Sequence, residues 1–531
     1  SWISYIKLKI TILTCNHGIV IMNQYANFNK QEEQQMRASG VLLPISSIPS
    51  DYGIGCFSKE AYEFVDQIAK GGQKYWQILP LGPTGYGDSP YQAFSTFAGN
   101  PYFIDLEAFI SLGLLTEEEC SSCDWGGSES YVDYEKMYNS RFRLLRKAYE
   151  KYNCEEDADF QAFVKKHSFW LEDYCLYMAI KNEQDNIGWN EWPRELKVRD
   201  LQAMEQAKER LADEIQFYRF QQYWFYKQWS ALKAYANKKG VEIIGDLPIY
   251  VAFDGADAWA NPLLFQFDEE NQPVAVAGCP PDAFSATGQL WGNPLYNWDY
   301  HKETGYQWWI QRMSHCMEIY DMVRIDHFRG FDEYYAIPYG DSTAEFGKWE
   351  QGPGLELFKV LRKNIRHLNV IAEDLGYLTD TVLQMLKKSG FPGMKVLQFA
   401  FDKSENSDYL TYKYDHNCVV YTGTHDNETT KGWYRDLSRH DAAFAREYTG
   451  CKGKSADECV WGMIREAMSC VADLAVIPVQ DYLCLGNEAR MNTPSTLGNN
   501  WKWRLTKGQF DEETIKRMRR MTKIYGRIQE Q

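Results

Sequence analysis

The chain has 531 residues and a formal net charge of −16, from 57 basic and 73 acidic side chains. This charge opposes a nucleic-acid backbone or an anionic membrane surface, so we expect neither as a partner, and it suits a neutral substrate. The hydrophobic fraction of 44% is enough for a large core, and 18 Trp and 36 Tyr also offer flat rings on which sugars can stack.

The first 38 residues are expected to form a leader before the folded body. Residues 1–21 hold a short apolar stretch after two lysines, which is too short and too polar to span a membrane. Met22 begins a polar segment typical of a true start, so we expect residues 1–21 not to be native. The alternative is an export or lipid-anchor signal that ends at Cys15.

Eight apolar runs follow the leader, and helical patterns such as 59–72 and 354–365 lie between them. Several runs are continuously apolar, as in parallel strands covered on both faces. Eight such units predict one (β/α)8 TIM barrel over residues 39–531. A doubly wound open sheet is the alternative, but the sequence lacks a Gly-rich phosphate loop after the first strand. The runs are 39–47, 75–83, 241–251, 321–328, 369–376, 394–402, 418–426 and 474–486.

Two connections are much longer than a βα loop needs. Residues about 108–235 are rich in helix formers and aromatics, and they predict an inserted, mainly helical subdomain. Residues about 252–310 predict a second insertion, whose Gly-, Pro-, Asn- and Trp-rich part 277–300 is typical of a long ordered loop. Both insertions leave from the C-terminal ends of strands, where a TIM barrel keeps its active site.

The 13 cysteines are scattered, and several lie inside apolar runs. This pattern predicts reduced thiols in a cytoplasmic protein. Cys120 and Cys123 form a C-x-x-C motif, but no second pair stands at a distance suitable for zinc. His327 and His425 could also bind a metal, yet they lack the usual ligand spacing. We therefore expect no metal and no other cofactor.

Acidic residues stand at the predicted C-terminal ends of four strands. Carboxyl groups that converge raise one another's pKa, which is costly unless they serve a purpose. The chemistry that fits is retaining glycoside cleavage, which needs a carboxylate nucleophile and a second carboxyl that acts as acid and then as base. The alternative is a set of structural ion pairs and loop caps. The residues are Asp246, Asp326, Glu373, Asp374 and Asp426.

Three of these acids can be given separate roles. Asp326 is the expected nucleophile, because Arg324 lies two residues earlier on the same strand face and can hold it ionised. Glu373 is the expected acid/base, because its apolar approach and the nearby acids would raise its pKa. Asp426, preceded by His425, would hold sugar hydroxyls and favour a distorted ring.

Long motifs around these acids resemble the 4-α-glucanotransferase (amylomaltase) family, glycoside hydrolase family 77 of the α-amylase clan. The resemblance runs from about residue 39 to about residue 506. It implies a (β/α)8 barrel with inserted subdomains, no C-terminal β domain and no need for a calcium site. By motif it also assigns the nucleophile to Asp326, the acid/base to Glu373 and the transition-state stabiliser to Asp426. The motifs include GYGDSPYQAFSTFAGNPYFIDL, GDLPIYVAFDGADAWANP, VRIDHFRGF, IAEDLG and YTGTHDNETTKGWY.

The same resemblance implies a set of substrate-binding residues. Some would contact the sugar beside the cleaved bond, Pro281 and Trp291 would belong to a loop over the acceptor side, and Tyr86 and Tyr102 would bind glucan away from the chemistry. The full set is Arg324, His425, Tyr91, Ser89, Asp246, Trp291, Pro281, His327, Phe399, Asn427, Tyr86 and Tyr102.

The resemblance implies cleavage of an α-1,4-glucan and transfer of the glucanosyl unit to the 4-hydroxyl of glucose or another maltooligosaccharide. Expected partners are maltooligosaccharides, glycogen or starch, with glucose as acceptor, and the sequence leaves open whether cyclic glucans also form. Two alternatives stay open: a hydrolase of the α-amylase type, in which water attacks, and a glucan-binding protein without activity. A monomer or homodimer is expected.

Overall fold

The structure is a computed structural model, and it describes residues 37–85, 87–281, 285–376, 378–401 and 406–528. Of the expected leader, only Arg37 and Ala38 lie within these ranges. Ala38 does not belong to a leader, because it begins the first strand and pairs with Leu474. Tyr86, expected to bind glucan, lies outside the described residues.

Eight parallel strands close into a barrel in the order β1-β2-β3-β6-β9-β10-β11-β12. Each corresponds to one of the eight predicted runs, so the prediction of a (β/α)8 barrel is confirmed. The strands are β1 (Ala38–Leu42), β2 (Tyr75–Gln77), β3 (Glu242–Pro248), β6 (Met322–Asp326), β9 (Val370–Ala372), β10 (Gly393–Val396), β11 (Cys418–Tyr421) and β12 (Leu474–Pro478).

Each strand ends earlier than the sequence predicts. The run 474–486 is strand only to Pro478 and then turns into a short helix, and the run 394–402 ends in a 3-10 turn at Leu397–Ala400. The apolar residues continue because these turns are themselves buried above the barrel. The backbone leaves the ladder there, and the polar residues of each run therefore stand on loops at the barrel mouth.

Strand alternation decides which side chains enter the barrel. Val323 and Ile325 belong to the large core that packs under the helices, whereas Ile244 and Met394 belong to a separate cluster of strand residues. Arg324 is directed towards this second cluster, since its Nε lies 3.4 Å from the Met394 sulfur. Because side chains alternate with period two, Asp326 points to the same inner side at the end of the strand.

Nineteen α-helices lie in the described ranges. The first, α1, shows why they form: its buried Ala61, Phe64, Val65 and Ile68 share one face. The helices are α1 (Lys59–Lys70), α2 (Leu106–Ser111), α3 (Glu117–Ser121), α4 (Tyr134–Lys151), α5 (Ala158–Lys166), α6 (Ser168–Glu183), α7 (Arg194–Lys197), α8 (Leu201–Arg210), α9 (Ala212–Lys238), α10 (Ala256–Ala260), α11 (Trp298–Glu303), α12 (Gln307–Ile319), α13 (Leu355–Asn364), α14 (Asp380–Ser389), α15 (Thr430–Asp436), α16 (Arg439–Tyr448), α17 (Ala456–Ser469), α18 (Val479–Tyr482) and α19 (Glu512–Ile524).

Helices are unevenly distributed between the barrel strands. Eight helices, α2 to α9, stand between β2 and β3 in the region expected to hold a helical insertion. Between β10 and β11 the described residues form only two 3-10 turns and no α-helix, so one barrel unit departs from the predicted β–α alternation. No helix in the described ranges is long and apolar enough to cross a membrane.

The prediction that 277–300 is a long loop is wrong. This stretch contributes to a four-stranded antiparallel sheet in the order β5-β4-β7-β8. The sequence did not show it because β4 pairs with β7, a strand about sixty residues further along the chain on the other side of β6. The strands are β4 (Ala275–Cys279), β5 (Gln289–Pro294), β7 (Glu333–Pro338) and β8 (Lys348–Gln351).

Candidate active site

Arg324 joins two carboxylates at the mouth of the barrel. Its Nη1 donates to both oxygens of Asp246 at 2.8 Å, and its Nη2 donates to Oδ1 of Asp326 at 2.9 Å. Arg324 and Asp246 are almost fully buried, whereas the side chain of Asp326 is 32% exposed. The guanidinium therefore fixes one oxygen of Asp326, while the carboxylate stays open to the mouth.

Tyr91 connects Asp246 to His425. The Tyr91 hydroxyl donates to Oδ2 of Asp246 at 2.7 Å and lies 2.8 Å from Nε2 of His425. Since the only hydroxyl proton goes to Asp246, the Tyr91 oxygen accepts from His425. The two rings are also stacked, with centroids 5.4 Å apart. The phenol is thus held at a fixed height above the barrel.

Glu373 sits on the loop after β9, and backbone amides cradle it. Its Oε2 accepts from the amide of His327 at 2.7 Å, and its Oε1 accepts from that of Leu375 at 2.8 Å. His327 has φ 53°, a left-handed conformation that is uncommon for residues other than glycine, and in this conformation its amide contacts Glu373. Burial, followed by the charge of Asp326, raises the pKa of Glu373 to about 7.

The carboxylate of Asp426 is contacted by two side chains, one from each of two loops. Oδ2 lies 3.3 Å from Nε2 of His425, and Oδ1 accepts from Nδ2 of Asn492 at 2.7 Å. Burial alone would raise the pKa of Asp426, but His425, Asn492 and Arg324 together hold that pKa below its ordinary value. Burial alone would lower the pKa of His425, and the carboxylate of Asp426 reverses that effect, so this pKa is raised.

The loop after β12 was missed by the sequence reasoning. Besides the Asn492 side-chain bond to Asp426, the Asn492 amide donates to the His425 carbonyl at 3.1 Å. Arg490 donates to the Asp426 carbonyl at 2.9 Å and to the Asn492 carbonyl at 2.8 Å. Trp501 packs beside Tyr91 and His425, 5.8 and 6.1 Å away. The available signal was the polar segment that follows the eighth strand, where a barrel places functional loops.

Ser89 and Asn427 support the loops of the site through hydrogen bonds of their own. The Ser89 hydroxyl accepts from the amide of Tyr91 at 3.3 Å. The side-chain oxygen of Asn427 accepts from both the amide and the hydroxyl of Thr424 at 2.8 Å. This second contact closes the turn that carries His425 and Asp426. Both residues thus shape the turns on which the expected contacts depend.

Trp291 and His327 meet edge to face, with ring centroids 4.8 Å apart, so the antiparallel sheet contacts the segment that follows strand β6. Burial lowers the pKa of His327 to about 4, which keeps its ring neutral near pH 7. Pro281 is exposed, two residues after the end of β4 in the same sheet. Phe399 is 40% exposed and packs edge-on against Tyr409.

A cleft of about 1950 Å³ borders the site and is lined by Gln92 next to Tyr91 and by Gly292 next to Trp291. Tyr102 lines the same cleft, but the residue is only 6% exposed and its ring packs against Tyr134 and Phe142. Tyr102 therefore forms part of the cleft wall and does not expose its ring as a platform for a sugar.

Asp374 does not join the other acids, although its sequence position suggests that it would. Its Oδ1 accepts from the amide of Met394 at 2.6 Å and so helps to fix the neighbouring strand β10. Because Glu373 and Asp374 are adjacent residues at a strand end, their side chains point to opposite sides. Within the part of the chain that the structure describes, no group of three or more His, Cys, Asp or Glu side chains is arranged to hold a metal ion.

The arrangement supplies three different carboxyl environments. Asp326 is paired with a buried cation, Glu373 has a pKa near neutrality, and Asp426 is kept ionised by His425 and Asn492. Two carboxyl groups in different protonation states are what retaining glycoside chemistry requires of a nucleophile and an acid/base. A third, ionised carboxylate can stabilise positive charge on a sugar ring.

Comparisons with known proteins show to which family the whole barrel is similar. The profile of the family described as 4-alpha-glucanotransferase matches residues 43–509. A 4-alpha-glucanotransferase of Clostridium butyricum is 47% identical over 489 residues, 92% of this chain and 100% of that protein. One of Thermus thermophilus is 46% identical, over 93% and 99% of the two chains. The solved structure of an amylomaltase from Streptococcus agalactiae in complex with acarbose has a TM-score of 0.90 and 40% identity, covering 93% and 100%.

Proposed function

The chain belongs to the 4-alpha-glucanotransferase family, and we propose that Asp326, Glu373 and Asp426 carry out the reaction of that family on α-1,4-glucans. The chain is thus a transglycosylating enzyme. The observation that supports the roles of nucleophile and acid/base is the contrast between Asp326, ion-paired with Arg324, and Glu373, whose pKa is raised to about 7. Such a pair separates the nucleophile from the proton donor at neutral pH.

In the first half-reaction, Asp326 attacks the anomeric carbon of the donor glucan. Glu373 gives its proton to the glycosidic oxygen, so the bond to the leaving chain breaks as the ester with Asp326 forms. Asp426 and His425 bind hydroxyls of the same sugar and favour its flattened, positively charged transition state. Arg324 keeps one oxygen of Asp326 occupied, which directs the other oxygen at the substrate.

In the second half-reaction, Glu373 is the base. It takes the proton from the 4-hydroxyl of an acceptor, glucose or another maltooligosaccharide, whose oxygen then displaces Asp326 from the anomeric carbon. Two inversions give overall retention and ping-pong kinetics. Transfer requires that a sugar hydroxyl outcompete water, and the antiparallel sheet with Trp291 beside His327 provides an apolar cover for the acceptor.

The bordering cleft supports a polymeric donor. Its walls combine aromatic rings with polar side chains, which suits the alternating faces of a glucan chain. The amylomaltase of Streptococcus agalactiae was solved with acarbose, and by analogy we propose glucan-like oligosaccharides as ligands here. Eleven of the described cysteines, among them Cys56 and Cys418, are free thiols, which supports the proposal of a reducing, cytoplasmic location.

The product profile from pure maltotriose, without added metal, tests the proposed reaction. Disproportionation should give glucose together with a ladder of longer maltooligosaccharides, separated by ion-exchange chromatography. If glucose and maltose accumulate without longer products, water is the acceptor and the enzyme is a hydrolase. If maltotriose is unchanged, the chain binds glucan without turning it over, and the proposed roles of all three carboxyls are wrong.

Replacing Asn492 by Ala should lower kcat about 10- to 100-fold with a smaller change in KM. The side-chain amide of Asn492 donates to Oδ1 of Asp426. Loss of this hydrogen bond frees the carboxylate to rotate and raises the pKa of Asp426. The acidic limb of the pH profile should therefore move upward. Asn487→Ala is the matched control, since Asn487 lies in the same connection after β12 but bonds to Glu428 and Thr429. Equal effects of both substitutions would contradict a specific role for Asn492.

A further inference from the structure

Two cysteines far from the carboxyl groups lie close together. Sγ of Cys451 and Sγ of Cys459 are 3.6 Å apart. Cys451 stands in the irregular connection between α16 and α17 and is partly exposed, whereas Cys459 is in the first turns of α17 and is 4% exposed. The proposed reaction uses neither thiol. The sulfur separation exceeds a disulfide bond by only about 1.5 Å.

We propose that Cys451 and Cys459 form an oxidation site, a dithiol that small-molecule disulfides convert to an intramolecular disulfide. Cys451, the more exposed residue, attacks a sulfur of the oxidant and releases one thiol. Cys459 then attacks the mixed disulfide at Cys451 and releases the second thiol. The protein loses two protons and two electrons in total, and one oxidant disulfide is reduced to two thiols.

The surroundings permit this step. Residues 451–454 have neither helical nor strand structure, so Cys451 can move towards α17 without breaking a ladder. Cys459 is fixed, because a capping box of Ser455 and Glu458 holds the start of its helix. The guanidinium of Arg446 lies near both thiols, and its charge partly offsets the effect of burial on the pKa of Cys459. Burial raises the pKa of Cys459 to about 11, so closure is expected to take hours near neutral pH.

The disulfide would stiffen the support of a loop in the active site. Asp457, two residues before Cys459, pairs with Lys431 at 2.7 Å. Lys431 lies in α15, which begins at Thr430, four residues after Asp426. The disulfide closes a short loop that includes Asp457. It lowers the conformational entropy of this connection in the unfolded chain. The oxidised enzyme is therefore expected to lose activity more slowly on heating, with kcat at ordinary temperature nearly unchanged.

The test uses the full-length protein, incubated under native conditions at about pH 8 with oxidised glutathione. Intact mass should fall by about 2 Da, and peptide mapping without reduction should find Cys451 linked to Cys459. Cys451→Ser should abolish the link. Cys484→Ser is the matched control, because Cys484 is a nearby, partly exposed thiol whose sulfur contacts the Asp457 carbonyl instead. This variant should form the link as the wild type does.

Two outcomes would overturn the oxidation site. In the first, prolonged oxidation leaves both thiols free or places a separate glutathione on Cys451 without closure. In the second, Cys451→Ser still loses two hydrogens at the same rate. Phenylarsine oxide, which bridges close dithiols, gives an independent check that needs no oxidation: one equivalent should protect wild type from alkylation at both cysteines.

Heat inactivation tests the stabilising effect of the disulfide separately from its formation. The half-life of activity at an inactivating temperature should lengthen at least twofold on oxidation of the wild type, and amide exchange across 449–458 should slow by on the order of tenfold. Cys451→Ser should show neither change. Equal half-lives of oxidised and reduced wild type would refute the stabilising role.

Discussion

Asp326→Asn is expected to lower kcat/KM on maltotriose by on the order of 10⁵-fold, with the protein still folded. The amide nitrogen or oxygen that replaces the carboxylate cannot form a glycosyl ester that turns over, and no neighbouring acid has the same access. Asp246 is buried under Arg324 and Tyr91, and Asp426 is bound to His425 and Asn492. Arg324 keeps its two bonds to Asp246, so the barrel mouth should retain its shape.

Asp321→Asn is the matched control for this variant. It makes the same charge change in the residue just before the same strand, at the opposite end of the barrel, where Asp321 pairs with Lys233 and accepts from the amide of Ile243. Its melting temperature should fall while its kcat stays near the wild-type value. Activity of Asp326→Asn within tenfold of the wild type would rule out Asp326 as the nucleophile.

Glu373→Gln is expected to reduce turnover of maltooligosaccharides by roughly 10³-fold and to remove the fall in rate at high pH. The donor must be protonated for the first half-reaction, and burial together with Asp326 raises its pKa to about 7. In the wild type, kcat/KM should therefore decline as the pH rises through about 7, because the ionised form of Glu373 cannot donate. Glutamine carries no titrating proton, so its residual rate should be flat there.

A donor with a good leaving group distinguishes acid catalysis from simple damage to the site. An α-maltosyl fluoride needs no proton from Glu373, so the Glu373→Gln variant should form the glycosyl-enzyme from it at a rate within about tenfold of the wild type. Asp374→Asn changes the adjacent residue and should leave the pH profile unaltered, since Asp374 bonds to the amide of Met394. If the rate of the Glu373→Gln variant still declined as the pH rose through about 7, another group would be responsible for the alkaline limb of the pH profile.

Much of the fold could be predicted because its signals are local. A continuous apolar run followed by polar residues indicates a buried parallel strand, and eight such runs indicate the barrel. The strand alternation around Arg324 and Asp326 also indicates that both side chains share one face. The predicted strands extend too far at their C-terminal ends, because buried 3-10 turns carry the same apolar residues as strands.

Other features depend on contacts between distant parts of the chain, and no local pattern encodes those. Barrel closure brings Tyr91 onto His425 across 334 residues and Asn492 onto Asp426 across 66 residues. Pairing of β4 with β7 turns a Gly- and Pro-rich stretch into a sheet beside Trp291. The sequence by itself determined the barrel and the positions of three carboxyl residues at its strand ends, since periodicity and strand ends are local. Only the tertiary structure decided which groups set their charge states, because burial and partners arise when the strands and loops meet.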